Sequence, residues 1–281
     1  EDSIPWSRKY QPRSVKEMAG QSEAVEALIR FARDFDAKRS KKKAALLHGP
    51  VGCGKTSSVY AVAAEFGLEV LETNASDFRN AAGINSVAGN ASRQMSLFSR
   101  GKIILIDELD GLSGQQDRGG VGAVEQVIEQ SAFPVVLTAN YPFDKKFASL
   151  RKLSVMIEYR QLTPEHVKEG LAKVAASEGV KIEDDALAVL ANRSGGDMRG
   201  AITDLQLLCS GGTELKKEAV DELSERNRTE EMQSALLKVF KTTDPSIAVG
   251  AFENVEAQPE DCFAWIDENL PGEYRKPEDL A

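Results

Sequence analysis

The sequence has no apolar run long enough to cross a bilayer. Its apolar runs, such as Ile103–Ile106 and Pro134–Leu137, are a few residues each, where a membrane helix needs about 20. The opening segment EDSIPWSRKY has no apolar stretch behind a basic start, so no secretory signal is expected. Cysteine is scarce: Cys53, Cys209 and Cys262 are odd in number and lack CxxC spacing. They read as free thiols, which points to a reducing compartment, the cytoplasm. The only histidines, His48 and His166, have no metal-ligand spacing. Internal repeats and low-complexity tracts are missing as well. So is a basic excess. The net charge of −9 argues against a protein that coats nucleic acid over its whole surface, yet residues 1–60 carry 12 Lys/Arg against 7 Asp/Glu. Any DNA contact must therefore be local. Lys41–Lys43 read most simply as a solvated loop before a strand.

What is present is a globular composition, 42% hydrophobic and 28% charged, over 281 residues, which is room for two or three domains. Helical spacing of Val25, Leu28, Ile29, Ala32 and Phe35 predicts a helix from Ser22 to about Lys38, with Ser22 as its N-cap. Short apolar strands are expected at Ala44–His48, Val70–Glu72, Lys102–Ile106, Pro134–Ala139 and Val155–Tyr159. Helices at Thr56–Phe66 and Val121–Gln130 lie between them. Alternation of this kind means an α/β domain, a parallel sheet with helices on both faces, here 1–162. From Thr163, an N-cap followed by Pro164 at the first helical position, only helices are expected: Pro164–Glu178, Asp184–Arg193, Asp197–Cys209 and one near Lys216–Leu223. They form a small all-helical lid over 163–227. Residues 228–281, with helices near Thr229–Phe240 and Pro259–Asn269, begin a third, helical part.

The chemistry concentrates in a few motifs. Gly49-Pro50-Val51-Gly52-Cys53-Gly54-Lys55-Thr56, followed by Ser57, fits G-x-x-x-x-G-K-[ST] between a strand and a helix. Its glycines let backbone amides turn onto phosphates, and the helix N-terminus favours anions. Lys55 should reach the β and γ phosphates of ATP, and the Thr56 hydroxyl should ligate Mg²⁺. Cys53 inside the loop is expected only to tolerate its position. In KIILIDE at 102–108 an apolar strand delivers two acids: Asp107 for the metal, Glu108 to activate the attacking water. Asn140 ends the next strand at the same edge of the sheet, where an amide can orient that water and sense the γ-phosphate. Arg199 falls in the first turn of a lid helix, where the dipole disfavours a cation. A specific task, such as contact with the γ-phosphate across the domain interface, would account for that misfit; the alternative is a solvated surface arginine.

Together these motifs resemble the clamp-loader branch of AAA+ proteins, and among them the replication factor C large subunits of archaeal type. The opening Trp6-Ser7-Arg8-Lys9-Tyr10-Gln11-Pro12, followed by Met18-Ala19-Gly20-Gln21, is similar to the family's W-x-x-K-Y-R-P…GQ, with Gln11 where arginine is usual. The resemblance implies that Tyr10, Pro12 and Met18 lie at the adenine. Asn74-Ala75-Ser76-Asp77-Phe78-Arg79-Asn80 is similar to NASD-x-R-N. DELDGL at 107–112, Asp117-Arg118-Gly119-Gly120 and Phe263–Leu270 look like the large subunit. Small subunits carry a finger arginine in L-R-S-R-C; in Ser149-Leu150-Arg151-Lys152-Leu153-Ser154 that position is Leu153, with Arg151 left as a weaker interface residue.

The resemblance implies an ATPase subunit that receives an arginine finger without donating one. Its partners would be clamp-loader small subunits in a hetero-oligomeric ring, the sliding clamp and primer–template DNA, with no membrane. Arg79, Asn80, Asn85 and Arg93 are the expected DNA contacts, or else a solvated helix face. Only the start of a helical collar is expected here. Two other classes stay open: another AAA+ motor, such as a branch-migration helicase or protein remodeller, and a scaffold holding ATP as a structural ligand.

Overall fold

In the computed structural model, the described residues are 4–76, 101–112, 119–209, 214–217, 219–220, 232–233, 235–242, 250–252 and 259–273. Arg79, Asn80, Asn85 and Arg93, and the Asp117-Arg118 pair, lie outside them. The chain falls into two compact units, Glu1–Glu214 and Leu215–Ala281.

In the first unit five parallel strands form one sheet. They are β1 (Ala44–His48), β2 (Glu69–Asn74), β3 (Lys102–Asp107), β4 (Val135–Ala139) and β5 (Ser154–Glu158), in the order β2-β3-β4-β1-β5. The three inner strands are buried along almost their whole length, as expected of a sheet covered on both faces. Strand alternation divides the core in two. Leu46, Ile104, Ile106, Val135 and Leu137 point to one face, under α4 (Gly120–Gln130) and α5 (Ala148–Leu153). Leu47, Ile103, Leu105, Val136 and Ile157 point to the other, under α2 (Ser22–Arg33) and α3 (Lys55–Phe66). Each fully buried Leu or Ile contributes about 1.5–3 kcal/mol. A short α1 (Trp6–Lys9) precedes these helices.

After β5 the chain leaves the sheet and builds three packed helices: α6 (Pro164–Glu178), α7 (Asp184–Arg193) and α8 (Met198–Cys209). Thr163 Oγ1 accepts the His166 amide at 3.4 Å, and Pro164 takes the first helical position, so the capping expectation holds. Two local expectations are corrected. Gln21, not Ser22, caps α2, and it does so without its side chain. That amide is spent on the Arg160 backbone, donating to the carbonyl at 2.6 Å and accepting from the amide at 3.3 Å. The same helix stops at Arg33 rather than near Lys38, because Asp36 Oδ1 accepts the amides of Lys38 and Arg39 (2.8 and 3.2 Å) and closes a turn instead. In the second unit Met232, Leu236 and Cys262 form a small core joined by Phe240, Phe252, Trp265 and Ile266; helix Pro259–Glu273 belongs to it.

Candidate active site

Three strands that run side by side, β3, β4 and β1, end at one edge of the sheet, and each hands over to a loop bearing one motif. After β1 the loop 49–54 makes its turns with Gly49, Gly52 and Gly54 at φ 145°, 66° and 100°. A Cβ on Gly49 would stand 2.0 Å from the Tyr159 carbonyl oxygen, and one on Gly52 1.7 Å from Asp197 Oδ1. The glycines are thus needed by the packing as well as by the turn. Lys55, only 9% exposed, donates to Gly49 O (2.7 Å), Pro50 O (2.6 Å) and Asn140 Oδ1 (2.9 Å). Burial lowers its pKa; the nearby Asp110 and Asp107 oppose that shift and Arg199 adds to it. Thr56 Oγ1 donates to Asp107, 3.0 and 3.2 Å from its two oxygens.

Glu108 follows Asp107 in a left-handed conformation (φ 57°), the one non-glycine residue with positive φ among the described residues. Such a residue costs about 1–2 kcal/mol and persists only when its surroundings fix it. Here the Glu108 amide donates to Thr138 Oγ1 at 3.0 Å, and that hydroxyl donates to Asp107 Oδ1 through a short hydrogen bond. Asn74, at the end of β2, donates its amide to Glu108 Oε2 at 3.0 Å. Asp110 accepts the amides of Asn140 (2.5 Å) and Tyr141 (3.2 Å). The structure therefore brings Lys55, Thr56, Asp107, Glu108 and Asn140 together. Reading the sequence missed Asn74, Thr138 and Asp110. Asn74 and Asp110 lie inside the NASD and DELDGL runs and Thr138 two residues before Asn140, but their contacts depend on how the strands align, which those runs do not disclose.

The lid touches this site directly. Asp197 Oδ1 accepts the Gly200 amide at 3.0 Å and so caps α8. The Met198 amide donates to Gly52 O at 3.2 Å. Arg199 is exposed and close enough to Lys55 to depress its pKa, and among the described residues it has no ion-pair partner. Of the residues expected at the adenine, Met18 lies against the loop: a Cβ on Gly54 would be 2.9 Å from its methyl. Tyr10 and Pro12 are half-buried. Their segment reaches the lid, with Trp6 N donating to Gln206 Oε1 (2.8 Å) and Lys9 to Glu178 (2.7 Å). Val51 and Ser57 complete the loop as exposed and half-buried residues.

Cys53 is buried, its thiol donates to Pro50 O at 2.9 Å, and burial raises its pKa, so it is not a poised nucleophile. His48 is half-buried and stacks edge-on against Phe143, 5.5 Å between rings. Leu153 packs against the core, and Arg151 donates to the carbonyls of Pro142 and Asp144.

A family model described as the ATPase family associated with various cellular activities (AAA) matches residues 45–161, and one described as an RCF1/5-like AAA+ ATPase lid domain matches 169–209. A relative named replication factor C large subunit from Pyrobaculum arsenaticum is 38% identical, over 99% of this chain and 70% of its own length. The chain belongs to the replication factor C large-subunit family. A relative of that name from Nanoarchaeum equitans is 44% identical over 99% of this chain and 64% of its own length, and one from Staphylothermus marinus is 41% identical over 99% and 66%. The chain thus spans just under two thirds of these two. Among solved structures, the Thermotoga maritima RuvB Holliday junction branch migration motor superposes with a TM-score of 0.62 at 21% identity, covering 92% of this chain and 90% of that one. This likeness is one of fold. As an AAA family member of this fold the chain is a nucleotide-binding protein.

Proposed function

We propose that this chain is an ATP-hydrolysing clamp-loader subunit, acting with small subunits in a hetero-oligomeric ring to open a sliding clamp and load it onto primer–template DNA in the cytoplasm. The observation that supports hydrolysis is the meeting of Lys55, Thr56, Asp107, Glu108 and Asn140 at one sheet edge, within a chain of the replication factor C large-subunit family.

The residues fit ATP with Mg²⁺. Thr56 and Asp107 converge as hard oxygen donors. That suits a cation held by one or two protein oxygens and the substrate's phosphates. Bound there, Mg²⁺ would neutralise charge on the phosphates. The loop amides and the α3 N-terminus would cradle the phosphates. Lys55 would give its ammonium to the β and γ oxygens, trading the carbonyls of Gly49 and Pro50 for anionic acceptors. Glu108 would take the proton of the attacking water on Oε1, the oxygen that Asn74 leaves open. Asn140 would orient that water, Arg199 would meet the γ-phosphate from the lid, and Tyr10, Pro12 and Met18 would flank the adenine. Leu153 cannot serve as a finger, so this subunit would receive one and give none.

The test is steady-state ATPase of the full chain, alone and with small subunits, clamp and primed DNA. Turnover that rises many-fold only in the full mixture, and falls when Glu108→Gln is placed in this chain, supports the reading. Fast turnover in a self-assembled ring, indifferent to clamp and primed DNA, refutes it and favours a self-contained motor.

A further inference from the structure

β4 leaves the sheet after Ala139, its last residue paired with β1. The amides of Asn140 and Tyr141 therefore face away from any ladder and need another acceptor. Both donate to the carboxylate of Asp110. Asp110 stands two residues past Glu108, on a single turn of 3-10 helix (Leu109–Gly111). That turn is anchored in the core by Leu109 and Leu112, 0% and 1% exposed. Packing is thus done by the leucines, while Asp110 is half-buried and contributes its two oxygens.

From the other side, Thr138 Oγ1 accepts the Glu108 amide at 3.0 Å. The turn after β3 and the loop after β4 are cross-laced twice: Thr138 to Glu108 one way, Asp110 to Asn140 and Tyr141 the other. Glu108 and Asn140 must act on the same water, and their separation is set by these cross-ties, since both lie beyond the last sheet pairing between their strands, Ile106 with Leu137.

We infer that Asp110 is a positioning residue for hydrolysis, acting through Asn140 by fixing the backbone from which the Asn140 amide reaches toward Lys55 and the γ-phosphate. The inference rests on the ATPase reading above. Bonds to a carboxylate are stronger and shorter than neutral ones, and two of them leave the loop little freedom. A displacement of about 1 Å in such a group can cost up to about 100-fold in rate.

The experiment compares the full chain, in assembly with the subunits, clamp and primed DNA that complete its site, as wild type, Asp110→Ala, Asp110→Asn, Asn140→Ala and the double variant Asp110→Ala/Asn140→Ala. Turnover, KM, melting temperature and amide hydrogen exchange over residues 138–143 are measured for each. For Asp110→Ala, kcat should fall about tenfold with KM within about twofold, and the Asn140 and Tyr141 amides should exchange at least about tenfold faster. Asp110→Asn, which keeps one acceptor oxygen, should be intermediate in both; it also decides the case if the alanine variant fails to fold. The double variant should turn over no more slowly than Asn140→Ala alone, because both changes remove one function. Multiplicative losses in the double variant, unchanged exchange, or wild-type kcat in Asp110→Ala would overturn the inference. Glu108→Gln with wild-type turnover would instead sink the ATPase reading itself, so the two failures are told apart.

Discussion

Thr138→Val is the sharpest probe of how the site is held. Thr138 is 2% exposed on β4, and its hydroxyl does two things at once: it donates to Asp107 and accepts the Glu108 amide at 3.0 Å. Valine fills nearly the same volume, so no cavity opens and the change isolates the hydroxyl. The bond to the carboxylate is worth about 1.5–3 kcal/mol and the neutral one about 0.5–1.5. Asp107 is half-buried and keeps the Thr56 hydroxyl at 3.0 Å, so water and Thr56 recover part of the loss. The expected destabilisation is about 2–3 kcal/mol. For a unit of this size that lowers the melting temperature by about 4–12 °C. Thr138→Ser keeps the hydroxyl and should lose well under half as much. Urea denaturation followed by circular dichroism measures both, and ATPase of the assembled complex should fall further for Val than for Ser, because Glu108 loses the bond that supports its left-handed backbone. A Val variant within about 0.5 kcal/mol of wild type, the scatter of ordinary surface changes, would refute the junction. So would a Ser variant that loses as much as Val.

Three further outcomes follow from the same geometry. Glu108→Gln should cut turnover by about 100-fold or more while ATP affinity, read by calorimetry, stays within a few-fold, since the amide cannot take the proton. Gly52→Ala should destabilise the chain by at least about 1–2 kcal/mol from its φ of 66° alone, and should weaken ATP binding further because its Cβ would collide with Asp197 at 1.7 Å; adding Asp197→Ala should restore part of the affinity but not the backbone cost. His48 has its pKa lowered by burial from the ordinary 6.5; the unfolded chain therefore takes the proton first, so His48 contributes stability above about pH 6.5 that is lost as pH falls through its folded value. His48→Gln should flatten the fall in stability below about pH 6.5 in denaturant titrations, and an unchanged slope there would refute the assignment.

What the sequence discloses is what is local. Gly49, Gly52, Gly54, Lys55 and Thr56 are adjacent in the chain, and their spacing alone implies a loop between strand and helix. The strands of the sheet are apolar runs bounded by polar turns, and the parallel sheet follows from their alternation with helices. Boundaries fail where a side chain has a distant or competing partner. Ser22 looks like a cap only until Gln21 is seen tied to Arg160, and the α2 periodicity runs past Arg33 until Asp36 captures the next amides. The short helix α5 was not visible because its six residues hold too little periodicity, and Arg151 within it turns to the carbonyls of Pro142 and Asp144. Thr138, Asp110 and Asn74 are beyond sequence reasoning for a different cause. Each acts across strands: the β3–β4 alignment places Thr138 and Asp110, the β2–β3 alignment places Asn74, and packing on both faces of the sheet sets both.

The same cross-strand logic extends to the lid. The first amide of α8 is given to Gly52 O, and Asp197, which caps that helix, abuts the same glycine. Meanwhile the segment Trp6–Lys9 is bonded to Gln206 on α8 and Glu178 on α6. The phosphate loop and the segment expected at the adenine thus both end on lid helices, and Arg199 sits one residue beyond the amide that touches the loop. Turning the Gly52 peptide to bring its neighbours' amides onto phosphate would either draw the start of α8, and Arg199 with it, or break the Met198–Gly52 bond. On the proposed reading the lid would respond to what the loop binds, because the Met198 amide and the Asp197 side chain both rest on Gly52 and would have to follow it or lose those contacts.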